Sequence, residues 1–390
     1  MLSNPFNVRF RSGRVVVLVA LAALIIASLA CGPLGGGEEE AAEEEAEEAE
    51  VEEEAAAEVV EEPTEAPPTA TPKPKEPPPT PEPEAGITVD NAGDLATLRT
   101  INIAETPLLT TAFAPESHLF ATSGYDKLVR IFDADSGDLV REMPGSGEYG
   151  FGLAYSPDGS LLASSGGYHV YFWDPQSGKM VNDVIVNSFV FRVVWSPDGT
   201  RLAVVGQGSS KIEFVDPKSG TLLADETLRN PTGYVLWALA YTPDGTMLAT
   251  ADGDGRVSVL EADTGVIVFE DTLASRGAAY DMEFSPDGTM LASCNKGGGV
   301  YIWETSNWEV VLSGDDLFSG GCLDGAFSPG SDIYYGAGND GWLMGWDTSE
   351  GNLLTSLSFP KAIWMISTST DGELLSVALD NGSAYVVGLR

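Results

Sequence analysis

From about residue 95 onward the chain alternates apolar and polar positions in short runs, such as Leu161-Leu162-Ala163-Ser164 and His169-Val170-Tyr171-Phe172-Trp173. A period of two over such lengths predicts strands, and no segment carries the pattern of a helix of useful length. The breaks between runs repeat. Tyr155-Ser156-Pro157-Asp158-Gly159, Trp195-Ser196-Pro197-Asp198-Gly199, Tyr241-Thr242-Pro243-Asp244-Gly245 and Phe284-Ser285-Pro286-Asp287-Gly288 share one plan. Phe327-Ser328-Pro329-Gly330 continues it, Phe113-Ala114-Pro115-Glu116 opens it, and Ser369-Thr370-Asp371-Gly372 is a weakened seventh copy. The anchor positions 115, 157, 197, 243, 286, 329 and 370 are 42, 40, 46, 43, 43 and 41 residues apart. Ser first, Pro second and Gly fourth suits a type I turn.

Each period has room for four short strands, so seven copies predict an all-β, seven-bladed β-propeller over residues 89–390. Each copy resembles the WD-repeat family. The closing dipeptide stands as Trp173-Asp174 and Trp346-Asp347, and loosely as Phe132-Asp133, Val215-Asp216 and Trp303-Glu304. Small-residue turns follow at Ser136-Gly137, Ser177-Gly178, Ser219-Gly220 and Thr264-Gly265. Two departures matter. The family's Gly-His dipeptide is missing, the only histidines being His118 and His169, and the Asp between second and third strands is clear only at Asp126, Asp254 and Asp340. The hydrogen-bond network that ties such blades is therefore incomplete, and the blades lean on apolar packing. The chain ends at Tyr385-Val386-Val387-Gly388, in register the third strand of the seventh copy, while Ala96–Ile103 precedes the first copy without a blade of its own. That segment is expected to supply the missing fourth strand and close the ring.

The first 86 residues follow another logic. Arg9, Arg11 and Arg14 precede an apolar run from Val15 to Ala27, ending in Ser28-Leu29-Ala30-Cys31. A basic start, an apolar middle and a small residue before the cut predict a signal peptide over residues 1–30. The end resembles the bacterial lipobox, which implies cleavage before Cys31 and a lipid on its sulfur, although Ser28 stands where Leu is usual. The alternative is an uncleaved anchor. Residues 31–88 are a linker: almost only Glu, Ala and Val from Glu38 to Glu62, then ten prolines from Pro63 to Pro83. Like charges at Glu43/Glu47 and Glu54/Glu58 oppose helix, and so little apolar area builds no core, so this tether is expected to be disordered and extended. The expected location is the extracytoplasmic face of the cell membrane, through lipid on Cys31.

Charge narrows the chemistry. Net charge is −39, divided as +3 over residues 1–31, −17 over 32–86 and −25 over 87–390. Such a balance excludes a general nucleic-acid binder. Two histidines exclude a multi-histidine metal site, and no phosphate loop, nucleophile elbow or His-Glu-x-x-His occurs, so neither enzyme, metal nor cofactor is expected. Asp133-Ala134-Asp135-Ser136-Gly137-Asp138 looks like a calcium loop but lacks the acid at the twelfth position. Cys294 and Cys322, in neighbouring copies, are open to two readings, a disulfide or two buried thiols, of which the thiols are preferred.

One set of positions stands out. Four residues before the residue that precedes each anchor turn stand Leu109, Phe151, Phe191, Trp237, Tyr280, Leu323 and Trp364. All are large and apolar. In the WD-repeat family this place lies near the start of the innermost strand, on the face where partners usually bind. The resemblance implies a ring of anchors for an envelope or extracellular protein or peptide; the competing reading is inter-blade core. Three functions follow: a monomeric binding scaffold, a cofactor-dependent propeller enzyme of the quinoprotein type, and a ligand-sensing or accessory subunit of an envelope transport complex resembling TolB-like propellers. The scarcity of His, Lys and Arg argues against the second, and the scaffold is preferred.

Overall fold

The computed structural model describes residues 86–145, 148–208, 210–230, 233–272 and 277–390. The signal peptide, Cys31 and nearly all of the linker lie outside them. Seven antiparallel sheets follow one another along the chain. Their innermost strands are Leu108–Phe113, Leu153–Tyr155, Phe189–Trp195, Leu236–Tyr241, Ala279–Phe284, Cys322–Phe327 and Ile363–Thr368, for blades 1 to 7 in order. Among the described residues the only helical turns are Ala92–Asp94 and Ala224–Glu226. The second interrupts blade 3, whose outermost strand is split into Thr221–Leu222 and Leu228–Arg229.

The repeated turn explains the spacing. The Gly159 N–H donates to the Ser156 carbonyl at 2.8 Å, and the Ser156 hydroxyl donates to Asp158 at 2.6 Å while accepting the Leu161 N–H at 2.9 Å. Gly159 has φ +68°, which a side chain would strain. The same arrangement recurs around Ser196, Thr242, Ser285 and Ser369. In the sixth copy Ser331 takes the positive φ, and Asp332 receives the Ser328 hydroxyl.

Strand Leu95–Asn102 completes blade 7, running antiparallel to Ser383–Leu389 with Leu95 opposite Leu389 and Asn102 opposite Ser383. The expected closing strand is present, shifted by one residue. Packing begins earlier than residue 89, for Ile87 is buried and its N–H donates to the Gly372 carbonyl at 2.9 Å. Seven apolar clusters fill the seven seams between neighbouring blades. Each seam packs two sheet faces, as the patterning requires. Outermost strands are largely exposed, as in Leu139–Pro144 and Val310–Gly314.

Cys294, on the second strand of blade 5, is bonded to Cys322 at the start of blade 6, with their α-carbons 5.0 Å apart. The preference for two thiols is corrected. Sequence spacing of 28 residues carries no information on which strand faces meet across a seam.

Candidate functional site

The innermost strands line a central channel, and six of them carry a β-bulge at the same place. Register breaks between Leu108 and Thr110, Val190 and Arg192, Leu236 and Ala238, Ala279 and Asp281, Cys322 and Asp324, and Ile363 and Met365. The residue skipped is in each case a ring position: Leu109, Phe191, Trp237, Tyr280, Leu323 or Trp364. In blade 2 the strand begins only at Leu153, just after Phe151 and Gly152. A bulge leaves its residue outside the ladder and re-aims its side chain. Leu109 is buried, and the other six are partly exposed.

Four of the seven touch in sequence around the channel. Phe151 meets Phe191 edge-on at 5.8 Å, Phe191 stacks on Trp237 at 4.8 Å with planes 14° apart, and Trp237 meets Tyr280 edge-on at 5.9 Å. Phe189 and Tyr168 extend this line outward, 5.8 Å apart. Trp364 stands apart, its indole N–H donating to Asp380 at 3.0 Å. The structure therefore gives an aromatic arc over blades 2 to 5 rather than a full circle.

In five blades the residue after the bulge meets another such residue across the channel: Thr110 donates to Met365 Sδ at 2.9 Å, and Arg192 contacts Met365, Asp281 and Asp324. Here Arg192 of blade 3 reaches across to blades 5 and 6. Its Nη2 lies 2.9 Å from Asp281 Oδ1 and 3.2 Å from Asp324 Oδ1, and it donates to the Tyr280 carbonyl at 3.2 Å. These two carboxylates and that of Glu283 accept backbone N–H groups from the innermost strands of the next blades. Gly325 donates to Asp281 at 3.1 Å, Ile366 to Asp324 at 2.8 Å and Phe327 to Glu283 at 2.7 Å. Burial pushes the Asp281, Glu283 and Asp324 carboxyls up, against the pull of Arg192. Burial alone would lower the Arg192 pKa, but Asp281 and Asp324 outweigh it and raise it. Sequence reasoning missed this group, whose four members are spread over three innermost strands, in blades 3, 5 and 6. The signal was there: three charged residues each directly follow a ring position.

A quinoprotein cofactor of the pyrroloquinoline type carries three carboxylates. Among the described residues the channel cavity offers one guanidinium against Asp281, Glu283 and Asp324, which does not fit such an anion. The Asp133–Asp138 loop spends its oxygens on its own turn and on His118. Asp133 accepts the Ser136 N–H at 2.8 Å, and Asp135 faces His118 Nδ1 at 2.9 Å.

Comparison with known proteins agrees with this architecture. The PQQ_2 family model, described as outer membrane protein assembly factor BamB, matches residues 125–352, more than half of the chain. The chain belongs to the PQQ_2 family. The WD40 model, described as WD domain, G-beta repeat, matches residues 97–133, and the protein is a WD-repeat β-propeller. Curated relatives include the WD repeat-containing protein VIP3 of Arabidopsis thaliana, 29% identical over 23% of this chain and 33% of its own length. WD repeat-containing protein SL1-17 of Schistosoma mansoni is 25% identical over 38% of this chain and 49% of its own. Small ribosomal subunit protein RACK1 of Neurospora crassa is 30% identical over 27% and 34%. The chain thus spans a third to a half of the length of these relatives. Among solved structures, the Cps50 (Swd1) β-propeller domain of Myceliophteria thermophila superposes with a TM-score of 0.66. The match has 19% identity and covers 76% of this chain and all of that one, and it shows the fold.

Proposed function

We propose that this propeller is a non-catalytic scaffold, held at the extracytoplasmic face of a membrane through lipid on Cys31, that docks a protein or peptide on the aromatic end of its channel. One observation carries the reading. Phe151, Phe191, Trp237 and Tyr280, from four successive blades, stand partly exposed and each in contact with the next at or just before the start of the innermost strands. Rigid aromatic side chains on a fixed scaffold give contact area at little entropic cost. The buried Cys294–Cys322 bridge supports an oxidising compartment. The family description favours a second reading, an accessory subunit of an outer-membrane protein assembly complex.

The test is a crosslinked pull-down from envelope extract with the full chain in detergent, beside Phe191→Ala/Trp237→Ala/Tyr280→Ala, with thermal melts of both. A partner captured by wild type and lost by a still-folded variant is the expected result. Equal capture by both would move the docking site off the arc. Identification of the captured protein as an assembly component would select the second reading.

A further inference from the structure

Three seams on the outer wall of the propeller are closed in one way. The turn after a blade's third strand lies beneath a polar side chain from the outermost strand of the blade before it. Arg99 donates to the Ala134 carbonyl at 3.1 Å, Arg141 to the Gln176 carbonyl, and Asn182 to the Pro217 carbonyl at 2.7 Å. Those turns carry Gly137, Gly178 and Gly220 at positive φ, and the same three side chains pack over the glycines.

The seam of blades 4 and 5 is built differently. Trp308 holds the glycine's place, its N–H donating to the Glu304 carbonyl at 2.8 Å as Gly265 does to Glu261 one blade earlier. Its φ is +61°, a backbone conformation that a bulky side chain strains. Opposite it stands Phe269, on the outermost strand of blade 4, and the two half-buried rings stack at 4.6 Å with planes 10° apart. An aromatic pair thus replaces the polar staple. Around it Val266 and Val268 from blade 4 and Val310 and Val311 from blade 5 are 42–56% exposed. Val268 and Val311 are bulge residues, left out of the ladder between Ile267 and Phe269 and between Val310 and Leu312. A bulge interrupts the hydrogen-bonding edge, so this wall offers side chains rather than a strand to extend.

Charge sets the rest. Residues 261–272 and 304–314, which make this wall, carry six acids, among them Glu261, Asp263, Glu304 and Glu309, and no lysine or arginine. Among the described residues their ion pairs are Asp263 with Arg201 and Glu270 with Arg256, both from neighbouring strands. We propose that the outer wall of blades 4 and 5 docks the apolar face of a basic amphipathic helix from a partner protein. The helix lays its apolar stripe on Trp308, Phe269 and the four valines, and its lysines or arginines face the acids on either side. Trp308 is the central anchor, which is what its strained backbone serves. This wall lies on outermost strands and the aromatic arc on innermost ones, so the inference stands apart from docking at the channel.

The experiment is photo-crosslinking of the full chain in detergent, with the crosslinked sites read by mass spectrometry. The probe is a peptide of two Leu-Lys-Lys-Leu-Leu-Lys-Leu units in which benzoylphenylalanine replaces one leucine. Two counterparts of the same length accompany it: leucine and lysine in strict alternation, which suits a strand, and the helical order with glutamate for lysine. Crosslinks from the first probe to residues 266–269 and 308–311 are expected, at least about fivefold above either counterpart and weakened by salt. Trp308→Gly installs the residue that Gly137, Gly178, Gly220, Gly265 and Gly351 place at positive φ in the other turns, so the fold is kept. It is expected to lower crosslinking at this wall about tenfold. Val268→Ser/Val311→Ser changes two exposed side chains and is expected to lower it several-fold. Equal crosslinking by the glutamate or the alternating probe, crosslinks confined to other surfaces, or unchanged crosslinking in either folded variant overturns the proposal. So does a dimer in sedimentation that Trp308→Gly separates, which assigns the wall to a second copy of the chain.

Discussion

His118 stands between Asp135 of its own blade, 2.9 Å from Nδ1, and Asp371 of blade 7, 2.7 Å from Nε2. Both nitrogens can donate only if the ring is protonated. Its partial burial lowers the pKa, but the hydrogen bonds to Asp135 and Asp371 outweigh it and raise the value above 6.5. A raised folded-state pKa stabilises fully below the unfolded value, and that contribution is lost as pH rises through the folded value. Thermal melts should therefore show wild type ahead of His118→Gln below about pH 6.5, with the gap closing above it. Because Asp135 and Asp371 are well exposed, the gap should be about 0.5–1 kcal/mol; a gap independent of pH would refute the clamp. At Gly325 sterics decide instead. Gly325→Ala would push a methyl into Tyr334 and should cost about 1–3 kcal/mol in chemical denaturation, most of it recovered by adding Tyr334→Phe. Neither pairing was legible beforehand. His118 and Asp371 are 253 positions apart, and their meeting depends on ring closure rather than on any local motif.

The turns and bulges differ in how far sequence reveals them. A Ser-Pro-Asp-Gly turn is written within consecutive residues, so its hydrogen bonds follow from residue types alone. Ser156→Ala, Ser196→Ala and Ser285→Ala each remove a hydroxyl that accepts one N–H and donates to one carboxylate. Each should cost about 1 kcal/mol, and the triple variant about the sum, because the three lie in different blades. A triple variant no worse than one single variant would show that the turns respond to a shared constraint. The bulge is a relation between two strands, and alternation within one strand does not encode it. The ring positions were legible as a column of large residues, yet the reason they leave the ladder was not. Blade 3 departs for a local cause: the Ala224–Glu226 turn breaks its outermost strand, a detail hidden in the longest repeat interval.

Two ties act at the scale of the whole ring, one covalent between neighbouring blades and one non-covalent at the closure. The Cys294–Cys322 bridge closes a loop across the seam of blades 5 and 6, with the two cysteines 28 positions apart. The Cys294→Ser/Cys322→Ser variant should lose about 3–4 kcal/mol and melt lower, and reductant should leave its melting unchanged. Deleting residues 90–104 removes strand Leu95–Asn102 and should give an aggregating species by light scattering, because Ser383–Leu389 becomes an open edge. A soluble, cooperatively melting monomer would contradict this. The closing strand was legible because one end held a strand too many and the other a strand too few. A timing follows from the same pairing. Leu95 meets Leu389, so on the ribosome the ring waits for nearly three hundred further residues, about 15–60 s at ordinary synthesis rates. Throughout that wait the early strand is a single ribbon that any neighbouring nascent copy could borrow. Its composition bears on that hazard: Thr97, Arg99, Thr100 and Asn102 make it the least greasy partner in its sheet, soluble while it is alone and held only once its own last strand arrives.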